Sequence, residues 1–163
     1  MPPESMGNAA VRQRVMQRLE DDLRIARAVL QATHEAATHS ESKAENKYDT
    51  RGLEAAYLAD GQRRRLHEIE LALAAFRNLP AEVRPEGVVR MGALVQLAQE
   101  ESERWVFFGP DGAGLKVMLD GQEVLVISPR SPLGQALPGR EIGDEVQIRV
   151  AGRVQTFEVL DIR

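Results

Sequence analysis

The sequence contains no cysteine, and it has no apolar run long enough to span a lipid bilayer. The absence of cysteine excludes disulfides, thiolate catalysis and cysteine-ligated zinc, and it is compatible with a reducing cytosol. The N-terminal segment also lacks the basic stretch and apolar run of a secretory signal. We therefore expect a soluble, cytoplasmic protein with no membrane segment.

Long runs of one charge are absent as well. The formal net charge is -4, with 12 Lys/Arg against 11 Asp/Glu in residues 11–79 and 8 against 11 in residues 88–163. Proteins that coat nucleic acid carry an excess of basic residues, so neither half is predicted to be a basic DNA-binding module. His34, His39 and His67 are scattered and lack acidic residues at a repeated ligand spacing. No metal site is therefore predicted in the isolated protein.

The first half of the chain has the apolar spacing of two long helices. From Ala9 onward apolar residues recur at steps of three or four, and the spacing resumes after a polar stretch. The first stripe comprises Val11, Val15, Leu19, Leu23, Ala26, Leu30, Thr33 and Ala37, and the second comprises Ala55, Ala59, Gln62, Leu66, Ile69, Leu73 and Phe76. Because each stripe needs a partner, we predict an antiparallel coiled-coil hairpin over residues 9–79, with its tip near residues 39–49.

The predicted tip has the sequence H-S-E-S-K-A-E-N-K-Y-D-T and contains two carboxylates, Glu41 and Glu45. Ser42 followed by Glu45 matches a capping box, which predicts that the second helix starts near Lys43 and leaves Glu41 in the turn. Capping and a functional role of Glu45 compete, because a carboxylate that accepts a backbone hydrogen bond is not free to bind a ligand. At 1.5 Å per residue, the predicted hairpin is about 50 Å long and could reach into a larger assembly.

After Pro80 the pattern changes to that of short strands. Residues 80–87 contain two prolines and a glycine and are predicted to be a linker, and residues 1–8 are predicted to be a disordered N-terminus. Strands are predicted near 93–97, 104–108, 115–119, 123–127, 145–150 and 154–162, with turns at Asp120-Gly121 and Ala151-Gly152-Arg153. Ser131 is predicted to cap a short helix that starts at Pro132. The predicted fold class is therefore α+β, with the hairpin followed by a small antiparallel sheet domain over residues 88–163.

The segment from Ile127 to Val146 is I-S-P-R-S-P-L-G-Q-A-L-P-G-R-E-I-G-D-E-V. It closely resembles the signature of the C-terminal domain of the bacterial Gre transcript-cleavage factors. The order of helical hairpin, proline-containing linker and C-terminal domain is also similar to that family. This resemblance implies an FK506-binding-protein-like fold for residues 88–163, and it implies that Ser131, Pro132 and Leu133 face the rim of the secondary channel of RNA polymerase.

The tip resembles the acidic tip of the Gre family, which has the pattern Gly-Asp-Leu-x-Glu-Asn-x-Glu-Tyr. Here the two acids, Glu41 and Glu45, are four residues apart instead of three; Lys43 lies between them and Lys47 follows two residues after Glu45. The resemblance implies that both acids act in trans, by completing the oxygen shell of a second Mg²⁺ at the active site of a backtracked RNA polymerase. The protein would then have no cofactor of its own and would not itself be an enzyme.

Four arginines of the predicted second helix, Arg51, Arg63, Arg64 and Arg65, could hold phosphates of the backtracked RNA 3′ end. Residues 63–65 point to three faces of a helix, so a solvated charge run is the alternative interpretation. Asp49 could substitute for a tip acid or could simply complement the helix dipole.

Two other functions remain open. The altered acid spacing and the two tip lysines favour a regulator that binds the same channel without stimulating cleavage. A prolyl isomerase shares the expected domain fold, but the chain has few aromatic residues after residue 80, namely Trp105, Phe107, Phe108 and Phe157. The apolar stripes could also pair between two chains, although the short turn favours a monomer.

Overall fold

The computed structural model describes residues 6–42 and 51–163. The elements in chain order are α1 (Asn8–Ser42), α2 (Arg51–Asn78), β1 (Leu94–Gln99), β2 (Ser102–Phe108), β3 (Lys116–Leu119), β4 (Gln122–Ile127), α3 (Pro132–Ala136), β5 (Glu145–Val150) and β6 (Arg153–Ile162). The chain forms two compact units. One joins the described residues up to Arg18 with Ala74–Arg163, and the other comprises Leu19–Leu73.

In the unit Leu19–Leu73, the helices α1 and α2 lie side by side. Arg27 of α1 is 4.0 Å from Glu70 of α2, and these two residues are at similar distances along their helices from the connecting residues. This pairing is that of two helices running in opposite directions. Every described member of the two predicted apolar stripes is buried or half-buried. The predicted pair of helices and their apolar faces are therefore confirmed.

The end of α1 differs from the prediction. The helix includes Glu41 and Ser42, so Glu41 lies in the last helical turn and not in a turn between helices. Ser42 has helical backbone, whereas a residue that caps a following helix is normally extended. Near this end of α1 the Thr38 hydroxyl donates to the carbonyl of His34 at 3.0 Å, one turn earlier in the same helix. The predicted capping partner Glu45 and the predicted helix start at Lys43 lie outside the described residues.

The six strands form one sheet in the order β3-β4-β2-β1-β6-β5. Neighbouring strands are antiparallel except for β2 and β4, which are parallel. The sheet is thus mixed, whereas a fully antiparallel sheet was expected. The burial of the two strands in the β3–β4 hairpin explains the difference. Val124 and Ile127 of β4 point to opposite faces and are both buried, while β3 exposes Lys116 and Met118. The inner position beside β2 therefore goes to β4, and β3 becomes the edge.

Both predicted tight turns are present. The central residues Asp120-Gly121 and Ala151-Gly152 all have positive φ, between 50° and 78°. Positive φ at both central positions defines the type I′ turn, whose twist matches that of the flanking strands. Val150 pairs directly with Arg153, so the second loop contains two residues and Arg153 belongs to β6.

Both faces of the sheet are covered. On one face the strands pack with α3 around a cluster formed by Val89, Ala93, Val95, Leu97, Val106, Phe108, Ile127, Leu133, Leu137, Val146, Phe157 and Val159. On the other face Phe76, near the end of α2, stacks on Phe107 of β2, and Arg14 of α1 donates to the carbonyl of Met118 at 3.4 Å. Burial on two faces explains why Trp105–Phe108 of β2 and Val124–Ile127 of β4 are continuous apolar runs instead of alternating ones.

The segments predicted to be disordered or to act as a linker make specific contacts. Met6 is fully buried, and its carbonyl accepts a hydrogen bond of 2.8 Å from the Arg163 guanidinium. The Asn8 amide donates to the carbonyl of Val83 at 2.6 Å. Residues 6–8 therefore pack on the sheet unit. In the part of the chain that the structure describes, no helix is both long and apolar enough to cross a membrane.

Candidate functional site

The tip acids are only partly within the described residues. Glu41 lies in the last turn of α1, which ends at Ser42. The side chain of Glu41 and the whole of Glu45 are outside the description, so the structure gives no distance between the two carboxylates. Among residues 6–42 and 51–163, no three His, Asp or Glu side chains come together to hold a metal ion.

The basic residues of α2 are spread along the helix. Arg51 is its first residue, and its side chain is outside the description. The Arg63 guanidinium donates to Asp60 at 2.8 Å, and Arg64 is exposed. Residues 63–65 are consecutive in a helix and therefore point about 100° apart. The structure does not bring these arginines into one patch.

The Arg63–Asp60 ion pair leaves Arg63 available to another anion. Its two side chains are 53% and 64% exposed, and exposed ion pairs of this kind stabilise a protein by about 1 kcal/mol at most. A phosphate could therefore replace Asp60 at small cost.

Ser131 and Leu133 have structural roles in the loop before α3. Ser131 has the extended backbone of an N-cap, and its hydroxyl accepts from the Gly134 N–H at 3.1 Å and donates to the Ser128 carbonyl at 2.8 Å. Leu133 is 7% exposed and belongs to the sheet core. Of the three residues predicted to bind a partner, only Pro132 presents an exposed side chain.

Pro132 borders a groove of about 330 Å³ between α3 and β5. Its other lining residues are Arg130, Gln135, Ala136, Gln147, Ile148 and Arg149. Both arginines are exposed, and neither has an ion-pair partner within 4.0 Å in the described part of the chain.

Sequence reasoning did not single out Arg130 and Arg149, because they are far apart in the chain and lie in different elements. Packing of α3 on β5 brings them to one groove. One signal was present: Gln147 and Arg149 alternate with the apolar residues of β5, which marks them as outward-facing positions of that strand.

Comparisons with known proteins agree on one family. Residues 84–163, which include all six strands and α3, match the family described as Transcription elongation factor, GreA/GreB, C-term. The transcription elongation factor GreA of Alkalilimnicola ehrlichii is 30% identical over 139 residues, covering 83% of this chain and 81% of that protein. The GreA of Halorhodospira halophila is also 30% identical over 139 residues, with the same coverage. The alignment with the crystal structure of GreA factor homolog 1 of Thermus thermophilus spans 91% of this chain and 94% of that protein, with 21% sequence identity and a TM-score of 0.36.

Proposed function

The chain belongs to the GreA/GreB family of transcription elongation factors, and we propose that it binds the secondary channel of RNA polymerase and stimulates cleavage of backtracked RNA. The observation that carries the proposal is the 30% identity over 139 residues. Because this match covers 83% of the chain, it cannot be confined to the C-terminal domain and must include much of the helical pair. In this proposal the protein works in the cytoplasm as a monomer, and it is not itself an enzyme.

The chemistry of the proposal rests on two carboxylates, Glu41 and Glu45. They would supply oxygen ligands at the active site of the polymerase, whose own aspartates hold Mg²⁺. Carboxylate oxygens are the ligands that Mg²⁺ prefers, and a second Mg²⁺ held there would activate a water for attack on the RNA phosphodiester. The position of Glu41 in a helical turn supports this role, because regular secondary structure holds a functional side chain more firmly than a loop.

The proposal assigns the backtracked RNA 3′ end to the basic residues of α2. Arg51, Arg63 and Arg64 would donate hydrogen bonds to its phosphates. The exposure of the Arg63–Asp60 pair supports this assignment, because an exposed ion pair contributes little stability and a phosphate can replace its carboxylate at small cost.

A regulator that binds the channel without stimulating cleavage is the second candidate function. Two features of the tip favour it: Glu41 and Glu45 are four residues apart, and two lysines, Lys43 and Lys47, are close to them in the sequence. A lysine ammonium group beside a carboxylate competes with a metal ion for its oxygens, and it lowers the negative charge that the tip brings to the active site.

The test is an RNA cleavage assay on a backtracked elongation complex with Mg²⁺ and end-labelled RNA. The proteins compared are the natural chain, Glu41→Gln, Glu45→Gln and the control Glu54→Gln, which changes an exposed acid in the first turn of α2. Short 3′ fragments should form with the natural chain and with Glu54→Gln. Their rate of formation should fall by roughly tenfold or more with either tip variant, because glutamine keeps the shape but loses the charge.

Binding to the polymerase is measured in parallel by competition with a channel-binding factor. Unchanged binding of the tip variants would assign their defect to the chemistry. Binding of the natural chain without cleavage would select the regulator. A chain that neither binds nor stimulates cleavage would refute both functions.

A further inference from the structure

We propose that a groove on one side of the helical pair packs against the same groove of a second copy of this chain, which gives a weak, two-fold symmetric homodimer. This side groove lies between α1 and α2 and has a volume of about 260 Å³. Its lining includes Asp22, Ile25 and Val29 of α1 and Arg65 and Ile69 of α2. The dimer itself does not depend on the proposed function, whereas its consequence for polymerase binding rests on it.

The first argument is that α1 has more apolar surface than α2 covers. Ile25 and Val29 are 57% and 44% exposed, and neither belongs to the apolar stripe that faces α2. They are four residues apart, so they lie one above the other on the same side of the helix. The buried Ile69 lines the groove beside them. An apolar ridge next to an apolar groove is the surface with which helices pack on one another.

The charges of the side groove are the second argument, because they make it complementary to itself. Asp22 lies on α1 and Arg65 on α2. A two-fold rotation that places Asp22 against Arg65 of the partner subunit also places Arg65 against Asp22 of the partner subunit. Two-fold contacts of one patch with its own copy are the commonest interfaces of homo-oligomers.

Arg65 can exchange its present partner for one on a second chain. It lies 4.0 Å from Glu68, and the two side chains are 64% and 69% exposed. An ion pair with this exposure contributes little stability. A carboxylate of the partner subunit can therefore replace Glu68 at small cost.

A second copy fits the side groove better than a nucleic acid does. Phosphates would meet the carboxylate of Asp22 and the apolar side chains of Ile25 and Val29, none of which binds an anion. Residues 11–79 carry 12 basic against 11 acidic residues. Two helical pairs can therefore approach each other without net repulsion, and the pair lacks the excess positive charge of a surface that binds phosphates.

Dimerisation has a consequence for the proposed function, in which a monomer inserts its helical pair into the polymerase channel. A second helical pair on its side widens the part that has to enter. The dimer must therefore dissociate before it binds, and self-association competes with polymerase binding. Addition of core polymerase should accordingly convert the dimer into a one-to-one complex.

Sedimentation velocity over a range of concentrations tests the dimer. The natural chain should be half dimeric at roughly 10–100 µM, because small interfaces associate weakly. Ile25→Glu and Val29→Glu should each raise the dissociation constant by about tenfold or more, because each places a carboxylate in an apolar contact. The matched control is Leu71→Glu, which changes a 53% exposed residue of α2 outside the groove and should stay within about twofold. Thermal unfolding followed by circular dichroism checks that every variant is folded.

An exchange of charges identifies a second copy as the occupant. Asp22→Arg alone and Arg65→Asp alone should each weaken the dimer, because like charges then face each other across the interface. A mixture of the two single variants should restore it. In the mixed dimer the two substituted side chains face each other with opposite charge, and the other contact is the natural one. A contact within one chain cannot produce this restoration.

A natural chain that stays monomeric up to about 300 µM would overturn the inference, since even weak specific interfaces associate at such concentrations. A dimer that Ile25→Glu and Val29→Glu leave unchanged would overturn it too, and so would a mixture that does not restore association. If the chain is monomeric and Ile25→Glu weakens polymerase binding, the side groove belongs to the polymerase and the inference fails. A chain that dimerises as described but does not bind polymerase would refute the proposed function and leave the dimer standing.

Discussion

The ring of Phe76 in α2 stacks on the ring of Phe107 in β2, with the centroids 6.0 Å apart and the planes inclined by 25°. Both side chains are fully buried. A Cβ atom placed on Gly109 would lie only 2.8 Å from the Phe76 ring, so the backbone after β2 also packs against this residue. The last turns of α2 are therefore part of the sheet unit, although in the sequence they continue the apolar stripe of the hairpin.

Truncation of Phe76 should destabilise this unit strongly. We expect Phe76→Ala to lower its free energy of unfolding by about 3–5 kcal/mol, because the change leaves a cavity against Phe107. Urea denaturation followed by the fluorescence of Trp105, the only tryptophan, measures the loss. The control Leu71→Ala removes a side chain that is 53% exposed and should cost less than about 1 kcal/mol. Equal effects of the two substitutions would contradict the prediction.

Two glycines in helices should respond to alanine in opposite ways. A Cβ atom on Gly134 would overlap the carbonyl oxygen of Ser128, whereas one on Gly61 would meet nothing within 4 Å. We expect Gly134→Ala to destabilise the protein by roughly 3 kcal/mol, since backbone must shift. Gly61→Ala should stabilise α2 by about 0.5–1 kcal/mol, because alanine is the better helix former. Thermal unfolding followed by circular dichroism measures the stability of both variants. An unchanged stability of Gly134→Ala would show that the close packing of Gly134 on the Ser128 carbonyl does not restrict this position to glycine.

Substitution of Ser131 should lower the stability of the protein, whereas substitution of Pro132 should weaken its binding to polymerase. Ser131→Ala removes the hydroxyl that caps α3 and bonds to Ser128, and it should cost about 1–2 kcal/mol of stability. Pro132→Ala should change stability by less than about 1 kcal/mol but weaken polymerase binding several-fold, because Pro132 is the exposed member of the loop. Urea denaturation and anisotropy binding are measured on the same preparations. If Pro132→Ala binds like the natural chain, this loop does not touch the partner.

Release of Arg63 from its internal partner should strengthen RNA contact. Arg63 donates to Asp60 at 2.8 Å, so Asp60→Asn should free the guanidinium and raise the affinity for a backtracked complex by about twofold, while Arg63→Ala should lower it by a similar factor. The control Glu70→Gln removes the 4.0 Å partner of Arg27, a residue not assigned to RNA. Competition binding to backtracked and non-backtracked complexes provides the readout. An equal effect of Asp60→Asn on both complexes would indicate that Arg63 does not contact the displaced RNA.

Much of the fold could be predicted from local patterns. The stripes from Val11 to Ala37 and from Ala55 to Phe76 predicted two helices because a 3.6-residue repeat is the pattern of an amphipathic helix. The turns at Asp120-Gly121 and Ala151-Gly152 and the Ser131 cap were also predictable, since each depends on a few neighbouring residues. The sequence predicted that Ser42 caps the start of the second helix, whereas the structure has Ser42 as the last residue of α1. The same residues are compatible with a capping box and with continuation of the first helix, and local sequence does not distinguish the two.

Long-range arrangements depended on the packing of distant segments. The parallel pairing of β2 with β4 follows from the two-sided burial of β4, which local spacing does not reveal. The buried Met6 accepts a hydrogen bond from Arg163, 157 residues away in the chain, and Arg130 and Arg149 reach one groove from separate elements. Backbone periodicity and turn chemistry act over a few residues and are legible in the chain. The free energy of burying side chains that are distant in the sequence determines which surfaces pack together. It also determines which arginines have no ion-pair partner within the protein.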